Sequence, residues 1–568
     1  MPRIRAFDGY LVDPAHAVEV VSPAYDAVSP QMRREFADAH PRNYINTMRL
    51  LADFPADAQP TVDELLAYNK ANLDALLSGG AFNRIEKPCL FIYQLATDTH
   101  CQTGVVCEVS VDEYAHGRLR KHENTRSDKE DLLALYQRVV GVSSSPICLA
   151  HAHDDGVERA LAELTAAPPA LDFVSGDGVA QRVWRIDDAA AQRRLQDLFA
   201  RIDTTYLTDG HHRAAAGWRY AQMRRGEVGA PPRHPRSLLS GGGGGDRGGV
   251  GDGGGGDGGG GGDRGWAGGD GGGRGDRGGG GDRGGGGDRG GAGDRGGGGD
   301  GVAGGGDRGG DGGDADAPYN QLLVALFSAR QLNLLPFHRA VADLNGLSEA
   351  QLVDALRRDF SVQAVDGEAF QPSRHGEFGM LLDKNAGGGG GGGNGGKREG
   401  GSSGGAGENG DKNAPENAGA SGDENTPENV DASGDESGNK NAGASGDESG
   451  DKNAGGGGRW YRLRARSGLV DPAHPVDSLD VSILQNHILA PIFGIIDARG
   501  DPRLDYVSGV SGPAALRRKC ADGWPACFAI YPTSIAQLMK VADAHGLMPP
   551  KSTYFDPKAR SGIFIRPK

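Results

Sequence analysis

The chain has 568 residues, but 98 of them are glycine, so its length overstates the sequence able to bury a core. A formal charge of −15, spread along the chain, marks no acidic binding face, and no affinity for DNA is expected. Six cysteines show neither a C-x-x-C pair nor a dense framework, and no run of eighteen apolar residues occurs. Reduced thiols in a cytoplasmic setting are therefore expected, with no membrane span and no signal peptide.

In chain order, "TVDELLAYNKANLDALLSGGAF" carries apolar residues at helical spacing and a Gly-Gly stop, and "KPCLFIYQLA" and "QTGVVCEVSVDEY" read as strands. "EDLLALYQRVVG" and "DAAAQRRLQDLFARID" are helical, with the strand "VAQRVWRID" between them. "TTYLTDG" then leads into the helix "HHRAAAGWRYAQMRRG". Residues 241–316 form a Gly-Asp-Arg array without collagen's triplet, expected as a disordered insertion.

Globular sequence resumes over 317–386 with the apolar run of "YNQLLVALFSARQLNLLPFHRAV", the helix "SEAQLVDALRRDF" and the extended "SVQAVDGEAF". Residues 387–458 are poly-Gly followed by twelve-residue copies such as "ASGDESGNKNAG", which lack Leu, Ile and Phe. A solenoid needs such residues to stack, so disorder is expected here too. From 459 to the end come the strand-like "RWYRLRARSG", the amphipathic helix "LDVSILQNHILAPIFGI" ending near Gly494, and the strand and helix of "ACFAIYPTSIAQLMKVADAHG". The two tracts thus interrupt a globular α+β (irregular α/β) fold, a mixed sheet with packed helices, in segments 1–240, 317–386 and 459–568.

Several glycine patterns carry no chemistry. Gly391 to Lys397 matches G-x-x-x-x-G-K, but Arg398 replaces the hydroxyl residue that touches magnesium, and no strand precedes it. Repeated Arg-Gly-Gly in the first tract is offset by Asp beside nearly every Arg, and Trp266 is almost its only aromatic, so RNA binding is not expected.

The stretch with most chemical content is Asp209-Gly210-His211-His212-Arg213, where a strand stops and a helix starts at once. Such a junction aims backbone N–H groups and the positive end of the helix dipole at the turn. Gly210 lets a phosphate approach, Arg213 supplies a planar charged fork, and His211 or His212 can donate a hydrogen bond or move a proton. Asp209 either caps the helix or holds a Mg²⁺ bridged to phosphates. The plain alternative is a capped helix start and nothing more.

"KHENTRSDKED", Lys121 to Asp131, is either a solvated loop or a source of catalytic groups. In the second case Glu123 is a general base, with His122, Arg126 and Lys129 stabilising phosphate charge. "VVSPAYDAVSP", with Tyr25 and Asp26, is a proline-punctuated turn that could line a cleft. "GLMPPKSTYFDPKARSGIFI" is a basic, hydroxyl-rich loop suited to phosphate, with Lys551, Lys558 and Arg560, or equally a terminal strand with its turn.

Taken together, "MPRIRAF", "VVSPAYDAVSP", "HENT…KED", "TDGHHRAAAGW", "LPFHRAV", "LDVSILQNHIL", "RLDYVSG" and "MPPKSTYFDPKARSGIFI" resemble the bacterial family called domain of unknown function 1015. The resemblance covers nearly all of the chain outside the two tracts. It departs at Pro23 to Ala27, where the family usually reads "PPYDV", and at Leu132, where the family usually carries Arg. At a second level the strand–DGHHR–helix order resembles the ParB/sulfiredoxin-like superfamily, including its serine kinases. That resemblance implies that Gly210, His211 or His212, and Arg213 bind nucleotide phosphates.

The function expected is phosphoryl transfer to or from a small hydroxyl substrate, serine or phosphoserine by that analogy. Glu123, His122 and His212 would do the chemistry, Gly210, His211, Arg213, Lys129 and Lys551 would hold phosphate, and Asp209 would hold metal. Mg²⁺ and ATP or ADP would be cofactors, and the partner a small phosphorylated metabolite or nucleotide. The alternatives are a nucleotide sensor without chemistry, or a scaffold or RNA binder acting through the glycine-rich tracts.

Overall fold

The structure is a computed structural model that describes residues 3–24, 30–55, 57–230, 315–367, 369–383 and 458–568. The Gly-Asp-Arg array with Trp266, the second tract up to residue 457 with the Gly391 to Lys397 match, and Tyr25 and Asp26 lie outside the described residues. The chain divides into two compact units, each with its own sheet.

The first unit comprises Met1–Leu119, Thr125–Ser328 and Ala559–Lys568. Its elements are β1 (Phe7–Val12), α1 (Ala17–Val20), α2 (Pro30–Ala39), α3 (Val62–Ser78), β2 (Phe82–Ala96), β3 (Cys101–Ser110), α4 (Val111–Ala115), β4 (Leu119–Arg120), α5 (Ser127–Val139) and β5 (Val142–Ser143). There follow β6 (Ile147–His151), α6 (Asp155–Leu164), β7 (Leu171–Val174), β8 (Ala180–Ile186), α7 (Ala189–Phe199), β9 (Thr205–Asp209), α8 (His211–Arg224), β10 (Gln321–Ser328) and a closing strand Phe564–Pro567.

The strand order is β4-β9-β6-β10-β3-β2-β1, then the closing strand and β5, with β8 branching from β2 and carrying β7. β10 is parallel to β6 and antiparallel to β3, and all eight of its residues are buried. A strand covered on both faces reads as one continuous apolar run, which is how its sequence looks. Local signals also fix α3: Thr61 and Glu64 form a reciprocal cap at its start, and Gly79 follows its end. "VDEY", read from the sequence as strand, is instead the short helix α4, because the Ser110 hydroxyl accepts the Asp112 amide and starts a helical turn.

Glu108 on β3 and Arg566 on the closing strand form an ion pair in which both side chains are almost fully buried. Burial raises the Glu108 carboxyl, with Arg566 acting against that shift. The pair joins the end of the chain to the middle of the sheet.

The second unit comprises Arg120–Asn124 and Ala329–Lys558. It holds β11 (Leu334–Leu335), β12 (Phe337–Val341), α9 (Glu349–Leu356), β13 (Phe360–Val365), β14 (Glu377–Leu382), β15 (Arg459–Ala465), α10 (Asp480–Leu484), β16 (Leu504–Ser508), α11 (Gly512–Ala521), β17 (Ala526–Ile530), α12 (Ile535–Asp543) and β18 (Tyr554–Phe555). The six-stranded order is β13-β15-β14-β17-β12-β16, antiparallel throughout. Ala340, Leu381, Trp460, Leu516, Cys527 and Ala529 are part of its core.

Leu382 and Arg459 are direct partners in the β14–β15 ladder, so the second tract stands where a hairpin connection would stand. Loop closure grows only slowly with length, which makes so long a connection tolerable. The long helix expected over "LDVSILQNHILAPIFGI" is only α10 followed by a wider π-type turn, Gln485–Leu489. All five α10 residues are buried, Asp480 included, so the segment packs all round rather than along one stripe. No helix among the described residues is long and apolar enough to cross a membrane.

Candidate functional site

β9 runs antiparallel to β6, with its first four residues buried and Asp209 opposite Cys148. The Thr208 hydroxyl donates to the Cys148 carbonyl at 2.9 Å, holding the strand end in place. Gly210 then turns the chain at φ 96°, ψ 30°, a left-handed conformation that favours glycine, and α8 begins at the next residue. The first helical bond is Ala214 N–H to the Gly210 carbonyl at 2.9 Å. The N-cap position of α8 is this glycine, which has no side chain of its own to accept the first-turn amides.

Asp209 is therefore not the helix cap that the sequence offered as one reading; the cap position is Gly210. Its carboxylate pairs with Nη2 of Arg213, while Nη1 of Arg213 donates to the Pro146 carbonyl at 2.8 Å. The guanidinium folds back over the turn: a Cβ on Gly210 would lie 2.9 Å from Nε and 3.0 Å from Cζ of Arg213. Gly210→Ala should therefore lower stability by about 1–2 kcal/mol and displace Arg213. Gly226→Ala is the control, because Gly226 is also left-handed but has open space where its Cβ would go. Urea unfolding of both variants separates backbone strain from the Arg213 contact, and the larger loss belongs at Gly210.

His211 is buried and His212 half-buried. Burial pushes the His212 imidazole down to about 4, and the nearby Lys129 ammonium adds to the shift. Lys129 lies in the first turn of α5, which like α8 starts without a side-chain cap. Arg219 of α8 pairs with Asp131 of α5 and keeps the two helices together. Asp209, Gly210, His211, His212 and Arg213 thus share one turn, with Lys129 close enough to bias His212.

The sign of the His212 effect on stability follows from these values. Its folded value, about 4, lies below the ordinary histidine value of about 6.5, so the unfolded chain takes up more protons between them. Stability should fall as pH drops from about 6.5 to about 4, by about 1–2 kcal/mol once partial exposure is allowed for. His338 of the second unit, also pushed to about 4 by burial, adds loss in the same window. His212→Gln should flatten the pH dependence of the unfolding midpoint without removing it.

The charged stretch divides between the units. Residues from Thr125 onward, Lys129 among them, belong to the first, whereas His122 and Glu123 belong to the second, as does Lys551. His122 is fully buried and its carbonyl accepts the Met548 amide at 2.8 Å; Glu123 is half-buried. Lys551 is exposed, in a left-handed conformation, with Nζ 4.9 Å from the centroid of the Phe337 ring. Among the described residues no group of three or more His, Cys, Asp or Glu side chains is arranged to hold a metal ion, and the Asp209 carboxylate is engaged by Arg213.

Sequence reasoning missed the strand-entry segment Ser144-Ser145-Pro146. Pro146 receives Arg213, the Ser144 hydroxyl accepts the Gly562 amide at 2.7 Å, and the Ser145 and Ser561 hydroxyls meet. The neighbouring Arg560 is buried and its Nη2 pairs with Asp177. The only local hint was three serines and a proline ahead of a buried run, which reads as a turn and nothing more.

A sequence profile described as "Protein of unknown function (DUF1015)" matches residues 4–239 and 306–387, more than half of the chain. No curated protein and no solved structure matches it.

Proposed function

The chain belongs to the DUF1015 family, and on that footing we propose that its β9–α8 turn binds a phosphate group of a nucleotide or small phosphorylated metabolite. The observation that carries this reading is α8 itself: a fourteen-residue helix that opens on left-handed Gly210, where the backbone is bare of a side chain, with a guanidinium laid beside that glycine. Backbone amides at a helix start and an arginine fork suit the three oxygens of a phosphate. His212, neutral at pH 7, can donate a hydrogen bond there without adding charge, and Lys129 supplies a flexible cation. The strand–Gly–helix succession also supports kinship with ParB/sulfiredoxin-like phosphate turns.

Phosphoryl transfer to or from a small hydroxyl substrate, with ATP or ADP and Mg²⁺, is the catalytic form of this proposal. Purified protein titrated with ADP, ATP, CTP and inorganic phosphate, with and without Mg²⁺, tests both forms. Ligand present at about 100 times its Kd should raise native stability by about 2.7 kcal/mol. Turnover that disappears in Glu123→Ala while binding persists supports the enzyme. Binding without turnover, unchanged by Glu123→Ala, supports a nucleotide sensor. No shift with any phosphate compound rejects the reading.

A further inference from the structure

Arg560 presents a second, independent anomaly. Its side chain is about 2% exposed, Nη2 pairs with Asp177, and among the described residues neither Nε nor Nη1 has a hydrogen-bond partner. A guanidinium built purely for structure has its donors satisfied when buried, since unmet charged donors are costly in a dry interior. Arg339 shows the contrast within this chain: equally buried, it donates from Nη1 to the Phe337 carbonyl and from Nη2 to the Pro550 and Lys551 carbonyls.

The surroundings of Arg560 are rich in hydroxyls. The Tyr93 hydroxyl accepts the Arg560 amide at 3.3 Å and donates to Oε1 of Gln181 at 2.5 Å, and Ser561 and Ser145 meet beside it. The one anionic partner sits differently. Asp177 lies in the turn between β7 and β8, closed by Ser175 N–H to the Val179 carbonyl at 3.0 Å, and its side chain is 46% exposed. A buried cation is thus paired with an exposed carboxylate on a short hairpin turn.

We infer that Arg560 is an oxyanion seat: a carboxylate or phosphate group of a small ligand takes the place of the Asp177 carboxylate and uses the guanidinium donors that Asp177 leaves unmet. The ligand group must be a compact oxyanion, because the guanidinium is planar and the adjoining groups are hydroxyls. Asp177 then acts as a tethered competitor that keeps the cation neutralised until the ligand arrives. The inference does not depend on the α8 turn binding phosphate.

The test uses the full chain carrying Arg213→Ala, so that any phosphate binding at the α8 turn is weakened. Asp177→Asn is added, and thermal unfolding is followed in sodium chloride, sodium phosphate and sodium acetate at equal ionic strength. The expected result is a lowered midpoint in chloride that phosphate, acetate or both restore by several degrees, with the response lost when Arg560→Gln is added. Restoration by phosphate alone assigns a phosphoryl group, and restoration by acetate assigns a carboxylate. A midpoint equally low in all three salts, or a response that survives Arg560→Gln, overturns the inference. If Asp177→Asn does not fold, equilibrium dialysis of labelled phosphate and acetate compares Arg213→Ala with Arg213→Ala/Arg560→Gln. Less uptake after loss of Arg560 supports the seat, and equal uptake overturns it.

Discussion

Glu108→Ala should destabilise the first unit by about 3–5 kcal/mol, the usual cost of removing one partner of a buried ion pair. Arg566 is about 5% exposed and would keep its charge in the interior with only the Pro318 and Pro567 carbonyls to accept from it. Most of the loss comes from that stranded charge rather than from the pair's own attraction. The double change Glu108→Leu/Arg566→Met should therefore recover most of it, since apolar residues of similar volume fit where the pair sat. Guanidinium chloride unfolding measures both, and a single-variant loss below about 1 kcal/mol would place the pair in a wetter setting than the structure shows.

Arg213→Ala should weaken phosphate binding by about 10- to 100-fold, because a charge-assisted hydrogen bond is worth about 1.5–3 kcal/mol. The same change frees Asp209, which then offers a negative charge where the ligand's own charge must lie. Both effects act on affinity. The stability cost should stay near 1 kcal/mol, since the Arg213–Asp209 pair is partly exposed. Arg213→Lys should fall between, keeping the charge and losing the fork. Calorimetric titration with ADP or inorganic phosphate separates the affinity loss from the small stability loss.

Elements written in local code were legible in the sequence. Thr61 and Glu64 announce α3, the apolar run of β10 announces a strand covered on both faces, and Asp209-Gly210 followed by a helical pattern announces the α8 turn. What failed to show was pairing between distant residues. Nothing near Arg213 points to Pro146, and nothing in "SGDG" marks Asp177 as the partner of Arg560. Composition does not mark the unit boundary in "KHENTRSDKED": charged residues run through it, yet the chain passes from one unit to the other between Asn124 and Thr125. Asp209 reads as a cap because a carboxylate before a helix often is one, but the cap position falls on Gly210, and Asp209 pairs with Arg213 one helical turn away.

Hydrogen exchange of the backbone amides tests the central claim most directly, because the claim concerns where the phosphate sits. ADP or inorganic phosphate, at a concentration just saturating for the native chain, should slow exchange at His211, His212 and Arg213, the first turn of α8, and at Lys129 or its neighbours in α5, with weaker slowing in Arg213→Ala at the same concentration. Binding that leaves the first turn of α8 as exchangeable as before, with protection elsewhere, would contradict the account.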